Sequence, residues 1–274
     1  MTTPTSPANV FVAYWLYQLD SSFHQLGEEQ QRRAKADFVA TLADRPASVT
    51  LRGVYSLVGL REDADLLLWA YAADLDGLQH LAVALRHSGL GRHLRQRQTY
   101  IGTVTPARYD PGHQPAFMFG SQPKNFLSVY PFVKTTEWYL LPYEQRRTLM
   151  AEHGMVGRRY AVSRDELLAT GAGGGTRANG HGGAATATVT ATEAAPASAA
   201  TEMAAEGGGV LSNTIDSFGL GDYEFILANE SDDPAELCRM MESLRKVEVR
   251  RYTKLDTPIY LGRLREPAAA LEDL

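Results

Sequence analysis

The chain is poor in cysteine: Cys238 is the single example in 274 residues. One thiol can neither close an intrachain disulfide nor build a Cys-x-x-Cys metal knuckle, so no covalent staple or zinc ribbon underlies the fold. Its setting, PAELCRMMESLRKVE, has helical periodicity, which reads Cys238 as a small buried apolar residue. Cysteine this sparse suits a reducing cytoplasm. Long apolar runs are missing too: none approaches the ~20 residues of a membrane helix. The opening MTTPTSPANV has neither a basic stretch nor an apolar one, so no secretory signal is expected there. Positive charge is not concentrated. Arg92, Arg95, Arg97 and the basic residues of 245–251 are interrupted by polar and acidic neighbours, and the net charge is −5. This excludes the electrostatic footprint of a nucleic-acid binder. The expectation is a cytoplasmic protein that engages neither nucleic acid nor membrane.

What is present is the composition of a globular chain, with 44% hydrophobic and 22% charged residues, enough to enclose a sizeable core. One stretch departs from it. Residues 169–209 are almost all Ala, Gly, Thr and Glu, with no aromatic residue. They cannot bury enough apolar area to offset ~1–2 kcal/mol of backbone entropy per residue. The reading is a disordered insertion, tolerable because loop-closure cost grows only logarithmically with length.

With it set aside, two similar halves emerge. In the first, Val10 to Leu19 reads as a strand, Gly27 to Leu42 as a helix, and Val49 to Leu57 and Asp65 to Ala72 as strands around a turn near Arg61–Asp63. Leu75 to Ser88 reads as a helix capped near Gly89, and Gln98 to Ala107 as a strand. In the second, the strand Phe126 to Lys134 precedes a helix from Pro142 to Tyr160, with Pro142 at its first position. The strands Val210 to Ser217 and Glu224 to Asn229 flank the turn Gly219–Asp222. A helix from Asp233 to Glu248 and a strand from Pro258 to Arg263 follow. The order βαββαβ, twice, is the ferredoxin-like unit. The fold class is therefore α+β: two ferredoxin-like repeats whose sheets pack face to face in a barrel-like subunit of the dimeric α/β-barrel type. The domain boundaries expected are 1–108 for the first repeat, 109–125 for a connecting loop, and 126–274 for the second repeat with its 169–209 insertion.

Chemistry-bearing side chains gather in the second repeat. Tyr130, Trp138 and His153 surround one predicted helix, and His113 lies 17 residues before Tyr130 in the Pro/Gly-rich loop RYDPGHQPAF. A phenol, an indole and two imidazoles are what a haem-peroxide enzyme needs. Arg146, Leu149, Met150, His153 and Gly157 share one helix face, where a histidine is a suitable axial ligand for iron. Gly154 costs ~1 kcal/mol against alanine in a helix, which the close approach of a flat macrocycle would explain. A core histidine beside a kink explains His153 and Gly154 equally well. Tyr130 and Trp138, taken singly, read as packing residues, and His113 as an exposed loop residue. Composition alone does not select haem.

The run YPFVKTTEWYLLPYEQRRTLMAEHGMVGRRY resembles the signature of the chlorite dismutase-like superfamily. More narrowly it resembles the actinobacterial coproheme decarboxylases, the peroxide-dependent haem synthases of the HemQ family. VLSNTIDSFGLGDYEFILANESDDPAEL and RYTKLDTPIYLG are similar to the same subfamily, and the likeness spans most of residues 8–263. The resemblance implies an oxidoreductase. Its substrate is Fe-coproporphyrin III, which is also the redox cofactor; hydrogen peroxide is the oxidant; haem b and CO2 are the products. It implies Tyr130 as the radical-forming tyrosine, His153 as the proximal iron ligand and His113 as the distal base. Trp138 would lie at the porphyrin edge, in electron transfer or packing a propionate, and Lys134 on a propionate. Met150 and Gly154 would lie along the macrocycle. A proximal histidine needs an acceptor to fix its tautomer; Glu224, in GDYEF, is the candidate, and a surface strand carboxylate explains it equally well. A homopentamer is implied, with a coproporphyrin ferrochelatase as the supplier of its substrate. The alternatives are a non-catalytic haem carrier or sensor and a peroxidase of the same superfamily. One departure stands out. Where chlorite dismutases carry a distal arginine, seven residues before Gly219, this chain has Ser212, so efficient chlorite breakdown is not expected.

Overall fold

The computed structural model describes residues 9–104, 114–171 and 208–274; the greater part of the 169–209 stretch, and the loop position of His113, lie outside them. In chain order the elements are β1 (Phe11–Leu19), α1 (Glu28–Ala43), β2 (Val49–Ser56), β3 (Leu66–Ala72), α2 (Leu75–His87), β4 (Leu94–Thr103), β5 (Phe126–Lys134), α3 (Thr136–Leu140), α4 (Tyr143–Arg158) and α5 (Arg164–Gly171). They continue with β6 (Leu211–Asp216), β7 (Phe225–Ser231), α6 (Pro234–Leu244), β8 (Thr253–Leu255), β9 (Tyr260–Arg265) and α7 (Pro267–Glu272). Both expected halves are recovered, each an antiparallel sheet: β4-β1-β3-β2 and β6-β7-β5-β9.

The expected barrel-like subunit forms, but as one continuous sheet and not as two sheets packed face to face. β2 pairs with β9, and β4 meets β6 at Thr103 and Asp216, so hydrogen bonding runs continuously around a closed ring, with β8 appended to β5. Closure removes the exposed edges that face-to-face packing would leave. Strand β1 shows the consequence. Its residues Val12, Tyr14 and Leu16 point into the barrel, while Ala13, Trp15 and Tyr17 point outward beneath α1 and α2. Both faces are buried, so the strand is apolar throughout.

Several local expectations are corrected. Cys238 is exposed, because Leu237 and Met240 are the buried positions of α6 and a neighbour of Leu237 is turned ~100° away. Pro142 caps α4 from outside its first turn. Gly89 lies one residue beyond the cap Ser88; a Cβ there would sit 2.8 Å from Ala34 Cα, so close approach explains it. The helix expected to reach Glu248 stops at Leu244, and β4 starts four residues before Gln98, at Leu94. Residues 169–171 complete α5 instead of opening the insertion.

A polar knot crosses the barrel. Arg52 of β2 donates from Nε and Nη2 to Glu230 Oε1 of β7 at 3.0 and 2.7 Å, and the two side chains are 5% and 0% exposed. Asn213 Nδ2 and the Lys124 amide also bond Glu230. Asn213 Oδ1 accepts the Phe117 amide, and Arg52 Nη1 bonds the Ser121 carbonyl. The cluster thus fastens the segment leading into β5 to both halves. Arg52→Ala is expected to destabilise the protein by about 3–5 kcal/mol, because it strands a buried carboxylate. Replacing Arg52 and Glu230 together by methionine is expected to cost less. Urea unfolding of both variants checks this, and a single variant within 1 kcal/mol of the parent, on the ~1 kcal/mol scale of an ordinary hydrogen bond, would contradict it.

Candidate active site

The site is built on the outer face of the second half. Along β5, Leu127 and Val129 enter the barrel core, so the alternate residues Ser128, Tyr130, Phe132 and Lys134 face the helix layer. Tyr130 is 3% exposed. Opposite it in register is Leu227, and beyond that Thr214 of β6. Met241 of α6 covers Tyr130, its Sδ 3.7 Å from the hydroxyl, and Asn229 hydrogen-bonds the same phenol. Burial pushes its pKa well up, so the phenol rests protonated. The row opens sideways: Thr214 is exposed although its strand is flanked on both sides.

Four residues on, Lys134 is enclosed by aromatic rings. Its Nζ lies 4.4 Å from the Trp138 ring centroid and 5.0 Å from that of Phe132. Desolvation holds its pKa down to about 8, against the raising effect of Glu224. Trp138 is buried beside Val247, Val249 and Tyr252. Glu224 stands immediately before β7. Its Oε2 accepts the Tyr139 hydroxyl at 2.6 Å and the Lys134 amide at 2.7 Å. Arg245 and Arg250, ion-paired with Asp256 at 2.9 and 3.3 Å, add positive charge felt at Tyr130 and Lys134 respectively.

His153 is half-buried on α4. This helix packs chiefly against α6 and the 248–252 turn, and Tyr160 beyond its end bonds Ser243 of α6 at 2.7 Å. It therefore shares the layer that covers Tyr130. Unlike α1, α2 and α6, α4 has no buried residue. Leu149 and Met150 lean on the Trp138 cluster while remaining half-exposed. Among the described residues, a Cβ at Gly154 would meet only the Arg158 side chain, at 3.2 Å, and one at Gly157 nothing within 4 Å. The donor set and the room fit an iron porphyrin: an imidazole on a helix with space beside its glycines, over a face carrying aromatic rings and cationic side chains that suit carboxylates.

The structure therefore brings Tyr130, Lys134, Trp138 and Glu224 into one neighbourhood and sets Met150, His153 and Gly154 on the helix beside it. His113 lies outside the described residues. Ser212 stands half-buried on β6, in the alternate positions shared with Thr214. Reading the sequence missed Tyr139, Met241, Asn229 and Arg245. Their signal was weak: they reach the site from α3, β7 and the end of α6, and although each lies in a run quoted above, no spacing marks it.

The chlorite dismutase family model matches residues 31–171 and 198–265. A coproheme decarboxylase of Mycolicibacterium smegmatis is 31% identical over 91% of this chain and 87% of its own. A coproheme decarboxylase of Staphylococcus carnosus is 29% identical over 39% of this chain and 49% of its own. Among solved structures, the chlorite dismutase of Candidatus Nitrospira defluvii in complex with imidazole superposes with a TM-score of 0.71 at 20% identity, covering 96% of this chain and 94% of that one. A matched region on this scale, together with a full-length relative, establishes the kinship: the chain belongs to the chlorite dismutase family.

Proposed function

We propose that the protein is a coproheme decarboxylase, an oxidoreductase that uses hydrogen peroxide to convert two propionates of Fe-coproporphyrin III into vinyl groups, releasing CO2 and haem b. The observation that carries this reading is the buried phenol of Tyr130 under the α4–α6 layer, in a chain 31% identical over 91% of its length to a coproheme decarboxylase. Each vinyl group formed consumes one peroxide: the propionate side chain gives up two electrons, a proton and CO2, and the peroxide becomes two waters.

The bound iron porphyrin supplies the peroxide-activating metal and the propionates that react. His153 holds the iron through its imidazole, and Glu224 orients that ring. Lys134 would place its ammonium on a propionate, whose negative charge favours the protonated amine. Trp138 packs at the porphyrin edge, Met150 lies along it, and Gly154 leaves it room. His113 takes a proton from one peroxide oxygen and returns it to the other, work suited to an imidazole near neutral pH. Tyr130 gives up its hydroxyl proton and one electron to the peroxide-derived oxidant, then takes a hydrogen atom from the propionate β-carbon and so regains the O–H bond; loss of one further electron to the same oxidant releases CO2 and leaves the vinyl group. Ser212 in place of the arginine argues against chlorite as the substrate.

The test is to load the protein with Fe-coproporphyrin III, follow the Soret band, and titrate peroxide with mass detection. Stepwise loss of two carboxyl groups is expected. Binding with no change of mass would leave a haem carrier or sensor, and would overturn the enzyme reading. The same proposal carries the expectation of a cytoplasmic homopentamer that receives its substrate from a coproporphyrin ferrochelatase.

A further inference from the structure

Glu224 is gripped more firmly than a strand carboxylate requires. Its amide bonds the Phe132 carbonyl at 3.3 Å and its carbonyl accepts the Ser217 amide at 2.8 Å, which fixes the backbone. Its side chain is then fixed at a single oxygen: Oε2 takes both the Tyr139 hydroxyl at 2.6 Å and the Lys134 amide at 2.7 Å. Two short donors on one oxygen draw the negative charge toward it and weaken the other as an acceptor. Tyr139 is held in turn. It belongs to α3, which leads through Leu141 and Pro142 into the helix of His153, and its ring meets Phe218 edge-on at 6.4 Å. The phenol therefore ties the carboxylate to the helix pair that carries the proposed iron ligand.

We infer that Tyr139 is a positioning residue acting through Glu224, fixing the orientation of this carboxylate and tempering its pull on His153, and so setting the reduction potential of the bound iron. The inference rests on the reading of Glu224 as the acceptor for His153. A carboxylate relieved of the Tyr139 donor pulls harder on the imidazole proton. The ligand becomes more electron-rich, and the ferric state is favoured.

The experiment is spectroelectrochemistry of the protein loaded with ferric haem b, with resonance Raman of its ferrous form. Tyr139→Phe keeps the ring and its packing, so haem affinity is expected to be unchanged. The potential should shift negative and the iron–imidazole stretch should rise. Glu224→Gln should shift both the other way. The double variant should match Glu224→Gln alone if Tyr139 acts through the carboxylate. If Glu224→Gln moves the potential and Tyr139→Phe does not, the inference is overturned while the reading of Glu224 stands. If neither moves it, that reading falls and takes the inference with it. A lowered melting temperature in Tyr139→Phe with an unmoved potential would mark a purely structural tyrosine, and additive shifts in the double variant would show a different route; both overturn the proposal.

Discussion

Tyr130→Phe is expected to bind Fe-coproporphyrin III as the parent chain does and to lose decarboxylation by roughly 10²-fold or more, the scale on which removing a group that transfers a proton in the reacting step is felt. The two effects separate because of where the hydroxyl lies. The ring is packed on β5 with the chain 3% exposed, and phenylalanine fills the same volume. The hydroxyl's contacts, Met241 Sδ at 3.7 Å and Asn229, are worth little to stability, about 1 kcal/mol for a neutral hydrogen bond. Neither contact is charged, so the O–H is not tied up in an ion pair. What the substitution removes is an O–H bond that can be broken and remade. Peroxide titration with mass detection measures the loss, and the Soret band reports binding separately. Undiminished formation of haem b by this variant would remove Tyr130 from its assigned role.

The second large effect is expected at His153. Replacing it by alanine should leave the fold intact, since the side chain is only half-buried and alanine is the better helix former. It should cost more in affinity for Fe-coproporphyrin III than the roughly 10–100-fold lost when an outer partner of a metal ligand is removed. The ferric spectrum should change with the axial ligand. The truncation also enlarges a space already lined by Gly154 and Gly157, where added side chains would meet little. Free imidazole should therefore restore a nitrogen-ligated spectrum to His153→Ala. An unaltered ferric spectrum and unaltered affinity would show that the iron is held elsewhere.

These two positions differ in how far the sequence led to them. β5 was readable at both ends, from Phe126 to Lys134, because a run of apolar and aromatic residues stops at a lysine. The body of α4 was readable from its three- and four-residue spacing. By contrast α3, Thr136–Leu140, is too short to show any period, yet it supplies Trp138 and Tyr139. Cys238 was misplaced because a helical pattern around a residue does not by itself say which face is buried. The length of α6 was overrun because the apolar spacing continues past Leu244 into Val247 and Val249, which belong to a separate turn. Glu224 was singled out as an acceptor without any indication of its donors, which lie 85 and 90 positions earlier.

By itself the sequence determined what depends on neighbours along the chain: the repeated order of strands and helices, the imidazole on a helix with glycines beside it, and the family likeness. Only the tertiary structure decided the rest. It joined two sheets into one closed ring, since strand ends far apart in the chain must pair to bury their edges. It set Arg52 against Glu230 across 178 positions, and it gave the Glu224 carboxylate to Tyr139. Such partnerships are made by packing distance, and periodicity carries no information about which distant residue will arrive.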